Sequence, residues 1–247
     1  MVANGNEIVS LDPGQLARAS EILETQTPQQ ILRWSVKTFA PRLGLATAFG
    51  AEGCALVAML ADLGLADQVH LFNLDTGYQF AETLETRNRL QAKYGVYVHL
   101  VPPDPAVRSA EAEGGAPLYA RDPDRCCHLR KVVPLQRYVR ENGFAAWITA
   151  IRREQTPDRA RQPIAFTDPG FGLVKLNPLA NWTRRQLWEY ITRNDVPYNA
   201  LMDQGYASIG CWPCTRALAD GEAERAGRWA GRIKKECGLH VIQQAAA

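Results

Sequence analysis

Apolar residues recur at helical spacing between positions 13 and 40: Leu16, Ala19, Ile22 and Leu23, then Ile31, Leu32, Val36 and Phe39. Intervals of three and four predict helix with one buried stripe. The pattern then changes to short apolar runs. Residues 43–49 form such a run, ending in Phe49-Gly50-Ala51-Glu52-Gly53, and an apolar helix is predicted over 55–65. A second buried strand over 69–74 closes on Asp75-Thr76-Gly77, and a helix over 79–94 leads to a third strand over 96–101. Prolines and glycines make 102–117 irregular. A helix over 126–141 should kink at Pro134, and a fourth strand follows over 145–151. The charged, proline-containing stretch 152–163 reads as a loop, Leu173–Leu176 as another strand, and 183–194 as a helix with Thr183 as its N-cap. Residues 1–12 read as a loose tail, and from 203 onward glycine is frequent and periodicity fades.

Strands alternating with helices describe an α/β protein, a mostly parallel sheet with helices on both faces. Residues 1–220 are expected to form one nucleotide-binding domain, and 221–247 a mobile C-terminal segment. In open sheets of this class, ligands bind beyond the carboxyl ends of the strands. Gly50 and Gly53 let backbone amides approach an anion at a helix N-terminus, and Asp75-Thr76-Gly77 should border the same crevice. The loop is neither a Walker loop nor the dinucleotide fingerprint, so on the glycines alone a tight turn is the simpler reading.

Composition narrows the class. The chain has 247 residues, 46% of them hydrophobic and 9% aromatic, which suits a globular protein with one large core. No run of about 18 apolar residues predicts a spanning helix, and no apolar core of signal-peptide length follows Met1, so a cytoplasmic protein is expected. The net charge of +2 is too small to argue for nucleic acid or membrane by itself, and neither is expected as a partner. Arginine is nevertheless dense in 121–140, 152–161 and 216–232, which fits a site for an anionic small molecule.

The six cysteines change the picture most. In a reducing compartment they point to metal binding or catalysis before disulfides. Cys126 and Cys127 are adjacent, and Cys211 and Cys214 flank a Cys-Trp-Pro-Cys turn, so four thiolates could hold an iron–sulfur cluster or a zinc ion. A vicinal pair on a helix reaches two irons of a cubane more easily than it closes a tetrahedron; the residues alone leave both metals in play. Cys237 stands apart in Lys234-Lys235-Glu236-Cys237-Gly238-Leu239-His240, where positive neighbours would favour a thiolate.

These residues resemble the assimilatory sulfonucleotide reductases, and among them the cluster-containing adenylylsulfate (APS) reductases. The matching segments run in order from about residue 44 to 240. They include Ala48-Phe49-Gly50-Ala51-Glu52, Leu74-Asp75-Thr76-Gly77, Cys126-Cys127-His128-Leu129-Arg130-Lys131, Arg152-Arg153-Glu154-Gln155, Ser208-Ile209-Gly210-Cys211-Trp212-Pro213-Cys214-Thr215-Arg216, Gly227-Arg228-Trp229 and Glu236-Cys237-Gly238-Leu239-His240. The four cysteines with the Cys-Gly-Leu-His tail are the specific part; the glycine loop is weakly so.

The resemblance implies the Rossmann-like fold of the adenine-nucleotide α-hydrolase group. It implies one 4Fe–4S cluster per chain on Cys126, Cys127, Cys211 and Cys214, with APS as substrate in preference to its 3′-phosphorylated form (PAPS). Cys237 would be the nucleophile, forming an S-sulfocysteine that thioredoxin or a similar dithiol protein resolves to sulfite. Phe49, Gly50, Ala51, Glu52, Gly53, Leu74, Thr76, Lys131, Ala150, Arg152, Arg159, Arg225, Arg228 and His240 would bind the substrate, with Arg159 preferred to Arg161. Two departures stand out. Ala150 occupies a position that is often glycine in the family, and Trp229-Ala230-Gly231-Arg232 replaces a run of tryptophans. A PAPS reductase, a dual APS/PAPS reductase and a homo-oligomer all stay open. A metal-stabilised nucleic-acid-binding module would need a strongly basic face, against 26 acidic residues. An ATP-dependent adenylating enzyme would need a Ser-Gly-Gly-type loop that 49–53 does not supply.

Overall fold

The computed structural model describes residues 11–113, 115–234 and 236–240. The expected loose tail before Leu11 lies outside them, as do Lys235 and 241–247. The helical stretch from 13 to 40 is two helices, α1 (Pro13–Leu23) and α2 (Pro28–Phe39). Each starts with a proline in its first turn behind a reciprocal cap, Asp12 with Gln15 and Thr27 with Gln30. Such a cap satisfies two orphan amides and sets a boundary.

The chain then alternates through β1 (Leu43–Ala46), α3 (Ala51–Asp62), β2 (His70–Leu74), α4 (Ala81–Tyr94) and β3 (His99–Val101). Four short helices follow: α5 (Ala106–Ala112), α6 (Leu118–Arg121), α7 (Pro123–Cys127) and α8 (Val133–Glu141), the last two joined by a π-turn over His128–Val132. β4 (Ala146–Ile148), β5 (Ala165–Asp168), β6 (Leu173–Leu176) and α9 (Arg184–Arg193) complete the regular elements.

Six strands form one sheet in the order β3-β2-β1-β4-β6-β5. All neighbours are parallel except β5, which runs antiparallel to β6 at the edge. The chain winds outward from β1 to β3 and then returns to lay β4 on the other side of β1, so a crevice opens between the carboxyl ends of β1 and β4. The core lies between the sheet and α1–α3 and α9, with Ile31, Leu32, Leu56, Met59 and Leu60 nearly or wholly buried. A smaller cluster on the other face joins Phe72, Leu135, Trp147 and Leu173.

Several expected boundaries shift for physical reasons. α3 begins at Ala51, since Gly50 caps it without a side chain. The 102–117 stretch contains α5. Pro134, lacking an amide to give Arg130, sits in the first turn of α8, and the helix widens into the π-turn just before it. The edge strand β5 was not expected. The 152–163 stretch is irregular apart from single 3₁₀ turns at Arg153–Gln155 and Pro157–Arg159.

Candidate active site

The main cavity opens at that crevice. Thr47 and Ala48 after β1, Leu74 at the end of β2 and Thr76 beyond it, and Thr149 and Ala150 after β4 line it. The β1–α3 loop is tightly built. Phe49 takes a left-handed φ of 56°, rare for a bulky residue, while its side chain is wholly buried in the core. Its amide donates to Thr47 Oγ1 at 3.0 Å. Gly53 in the first turn of α3 lies against the same threonine, and a Cβ there would collide with Oγ1. Glycine therefore lets the helix start close beneath β1. No side chain caps α3, which leaves its first amides for an anionic ligand.

Cationic side chains from three segments line the same cavity as this helix end. Lys131 comes from the π-turn, Arg159 from the 3₁₀ turn after β4, and Arg225 and Arg228 from the segment following the Cys-x-x-Cys turn. Burial opposes the charge on Lys131, but the negative charge that Cys211, Cys237 and Cys127 carry as thiolates outweighs it and raises its pKa. Burial, reinforced by Arg159, pulls the Arg225 pKa down to about 10. The Arg228 guanidinium lies 4.4 Å from the Trp229 ring centroid, with a buried Nε that has no hydrogen-bond partner. A Cβ at Gly210 would strike it.

A second, smaller cavity adjoins the first. Cys126, Cys127, Cys211 and Cys214 all line it, with Tyr78, Tyr119, Arg130 and Pro123. Lys131, Cys211, Arg228 and Trp229 line both cavities and so form one shared wall. Arg130 braces it, donating to the Thr76 carbonyl at 2.6 Å and pairing with Glu111 at 2.7 Å. The Cys211 thiol donates to Thr76 Oγ1 at 3.2 Å. Burial, with the neighbouring Cys127, pushes the Cys126 thiol up to about 12. Among the described residues no three His, Cys, Asp or Glu side chains converge closely enough to share one metal ion. The four cysteines line one common space.

The C-terminal segment closes over both cavities. Trp229 is 3% exposed, and its amide donates to the Cys214 carbonyl at 3.0 Å. Arg232 reaches the Tyr119 carbonyl at 2.9 Å and Lys234 pairs with Asp124. Glu236, Cys237, Leu239 and His240 line the main cavity. The His240 ring stacks on Trp147 at 6.2 Å, and its Nδ1 is buried without a partner. Desolvation, together with Lys175, Arg159, Arg225 and Lys131, holds its pKa well below the usual value, so the ring is neutral.

Residues 42–217 match the phosphoadenosine phosphosulfate reductase domain. The chain belongs to the phosphoadenosine phosphosulfate reductase family. Within that family it is 44% identical, over 90% of its length and 92% of the relative's, to the adenosine 5′-phosphosulfate reductase of Streptomyces coelicolor. It is 41% identical to the phosphoadenosine 5′-phosphosulfate reductase of Gloeobacter violaceus, covering 94% of this chain and 96% of that one. Its fold superposes on the phosphoadenylyl-sulfate reductase of Candida auris with a TM-score of 0.72 and 33% identity, over 83% of this chain and 98% of the other.

Against the residues expected from the reductase family, the placements divide. Gly50, Glu52, Gly53, Leu74, Thr76, Lys131, Ala150, Arg159, Arg225, Arg228, Cys237 and His240 all line the main cavity. Phe49, Ala51 and Arg152 do not. Phe49 and Ala51 turn into the core, because consecutive side chains of a tight loop cannot all face one side. Arg152 lies behind the loop, 1% exposed, tied to Glu52 at 2.8 Å, Glu154 at 2.9 Å and Glu224 at 3.0 Å. Arg161 lies in a groove against α1, away from the site. Sequence reasoning missed Trp147, Lys175, Glu224 and Glu236. A lone lysine in the apolar strand β6 and a carboxylate beside the candidate nucleophile were the signals available. No helix of the described residues is long and apolar enough to cross a membrane.

Proposed function

We propose that this protein is an oxidoreductase acting on sulfur that reduces adenylylsulfate to sulfite and AMP in sulfate assimilation, working in the cytoplasm. The observation that carries the reading is Cys237 in one cavity with Lys131, Arg228 and the uncapped α3 N-terminus, at the carboxyl ends of β1, β2 and β4. Substrate anions fit between the α3 amides and these cations, which also stabilise charge on the departing phosphate. The nucleoside fits over Leu74, Thr76 and Ala150.

The Cys237 thiolate attacks the sulfate sulfur. The bond from that sulfur to the bridging oxygen breaks, AMP leaves with the electron pair, and Cys237 carries the sulfonate as S-sulfocysteine. A dithiol protein such as thioredoxin then attacks Sγ of Cys237 and expels sulfite. Its second thiol resolves the mixed disulfide and restores Cys237. The dithiol supplies both electrons.

The four cysteines suit a 4Fe–4S cluster. Four thiolates lining one cavity are the donor set of such a cluster, and the adjacent Cys126 and Cys127 reach two irons more easily than they close a tetrahedron around one zinc ion. Such a group would tie α7 to the Cys-Trp-Pro-Cys turn and set its field beside Lys131. The four-cysteine set is also the ground for APS over PAPS. Sulfite release from APS and PAPS, assayed side by side under anaerobic conditions with reduced thioredoxin, tests the proposal. Faster release from APS supports it, and no release from either overturns it.

A further inference from the structure

Two charged contacts hold the tail on either side of Cys237. Upstream, Glu236 Oε1 accepts from Arg159 Nε at 3.1 Å and Nη2 at 2.8 Å, and Oε2 accepts from Arg225 Nη2 at 3.1 Å. The three side chains are 13%, 7% and 15% exposed, so this anion and its two partners are largely withdrawn from water. Downstream, the Leu239 carbonyl accepts from Lys175 Nζ at 3.1 Å. Between these points the chain turns at Gly238, whose φ of 85° suits glycine.

Glu236 takes no part in the sheet, and Lys175, which joins β6 to β5 through Asp168, has a further donor that reaches the tail. Lys175 is 2% exposed on β6 between Val174 and Leu176, with Asp168 at 3.0 Å and the Trp147 ring centroid at 4.9 Å from its Nζ. An apolar residue there would avoid the desolvation of a charge. What the ammonium provides is a donor at the place where the tail presents a carbonyl. The arginines divide similarly. With Glu236 in place, Arg159 Nη1 goes to Gln155 at 2.6 Å and Arg225 Nη1 to Ser208 at 3.3 Å. Glu236 thus draws part of each guanidinium toward the tail, although both arginines still line the cavity beside Lys131 and Arg228 and Arg225 Nε has no partner.

We propose that Glu236 and Lys175 are positioning residues, a two-point latch that holds the 236–240 arc over the cavity and sets the fraction of molecules in which Cys237 faces the substrate. The inference rests on Cys237 being the nucleophile of APS reduction. Neither latch residue touches the reacting atoms. Loosening the latch lowers the effective concentration of the thiol at the sulfur, and so lowers kcat while leaving the KM for APS in place.

The test uses the anaerobic holoenzyme as wild type, Glu236→Gln, Glu236→Asp, Lys175→Met and the double variant Asp168→Asn/Lys175→Met. The double variant leaves no buried carboxylate unpaired should Lys175→Met fail to fold. One readout is the rate at which iodoacetamide alkylates Cys237 without substrate, followed by mass spectrometry of its peptide. The other is the separate change in kcat and KM with APS. Glu236→Gln and the double variant should each raise alkylation about tenfold, the weight of one charge-assisted hydrogen bond, and lower kcat with KM unchanged. Glu236→Asp should recover part of both effects. Unchanged alkylation in both overturns the latch. So does a lower KM with unchanged kcat in Glu236→Gln, which would make Glu236 a competitor for the substrate's anion site. Alkylation needs no substrate, so a wild type inert toward APS whose Cys237 still responds to these substitutions overturns the functional reading and leaves the latch standing.

Discussion

Replacing Arg152 by methionine should cost the fold far more than it costs substrate contact. Arg152 is 1% exposed and carries three carboxylates. Glu154 is 53% exposed on its side chain, so water can take over its charge; Glu52 and Glu224, at 14% and 17%, cannot rely on water. Removing one partner from a buried ion pair costs about 3–5 kcal/mol, and the solvated Glu154 places the expectation near the lower bound. For a chain of this size that is roughly 6–12 °C in melting temperature.

The pH dependence carries the sign. Burial already raises the Glu224 pKa above the usual 4.5, Arg152 opposes that rise and Glu52 adds to it. A raised folded-state pKa means the penalty is absent below the unfolded value, grows as pH climbs from the unfolded to the folded value, and is full above the folded one. Without Arg152 the folded pKa rises further, at about 1.4 kcal/mol per unit. The gap between wild type and Arg152→Met is therefore widest near pH 8 and narrows toward pH 5. Circular dichroism melts across that range measure it. A gap below about 0.5 kcal/mol at pH 8, the size of an ordinary surface change, or one that widens on acidification, would refute the account.

Other outcomes follow from the site. Cys237→Ser should abolish sulfite production while APS binding, followed by calorimetry, persists, since a serine hydroxyl is a far weaker nucleophile. Alanine at any of Cys126, Cys127, Cys211 or Cys214 should strip iron from the anaerobically purified protein and lower its soluble yield; a variant that keeps its full iron content removes that cysteine from the ligand set. Gly210→Ala should displace the Arg228 guanidinium, whose atoms a Cβ would strike, and raise the KM for APS about 10- to 100-fold, as for a lost charged hydrogen bond; an unchanged KM would separate Arg228 from the substrate.

The order of strands and helices was legible because buried parallel strands are apolar runs with turn residues at their ends. The break between α1 and α2 was equally present, in Thr27-Pro28 with Gln30 three residues after the cap, but the apolar spacing on either side ran through it. β5 escaped because it is an edge strand with Phe166 and Thr167 partly or fully exposed, just after a charged loop. α5, at seven residues, is too short to display a period. At the site, the motif at 48–53 located the loop as a unit. Which of its side chains face the ligand is decided by the left-handed turn at Phe49, and no spacing rule encodes that. Arg152 illustrates the same gap: an arginine in the right motif whose donors are claimed by three carboxylates. The fading periodicity after 221 reflects irregular backbone, since Trp229 in this segment is nearly fully buried.

The wall of Lys131, Cys211, Arg228 and Trp229 belongs to two rooms at once. For anyone redesigning this enzyme, the nucleotide pocket and the cysteine cavity are therefore not separable modules. A variant stripped of its four cysteines would have to rebuild the back of the substrate pocket in the same step, and a library that varies one room inevitably samples the other. Under mutation the two should drift together, so a change tolerated on one side is best sought beside a compensating change across the partition.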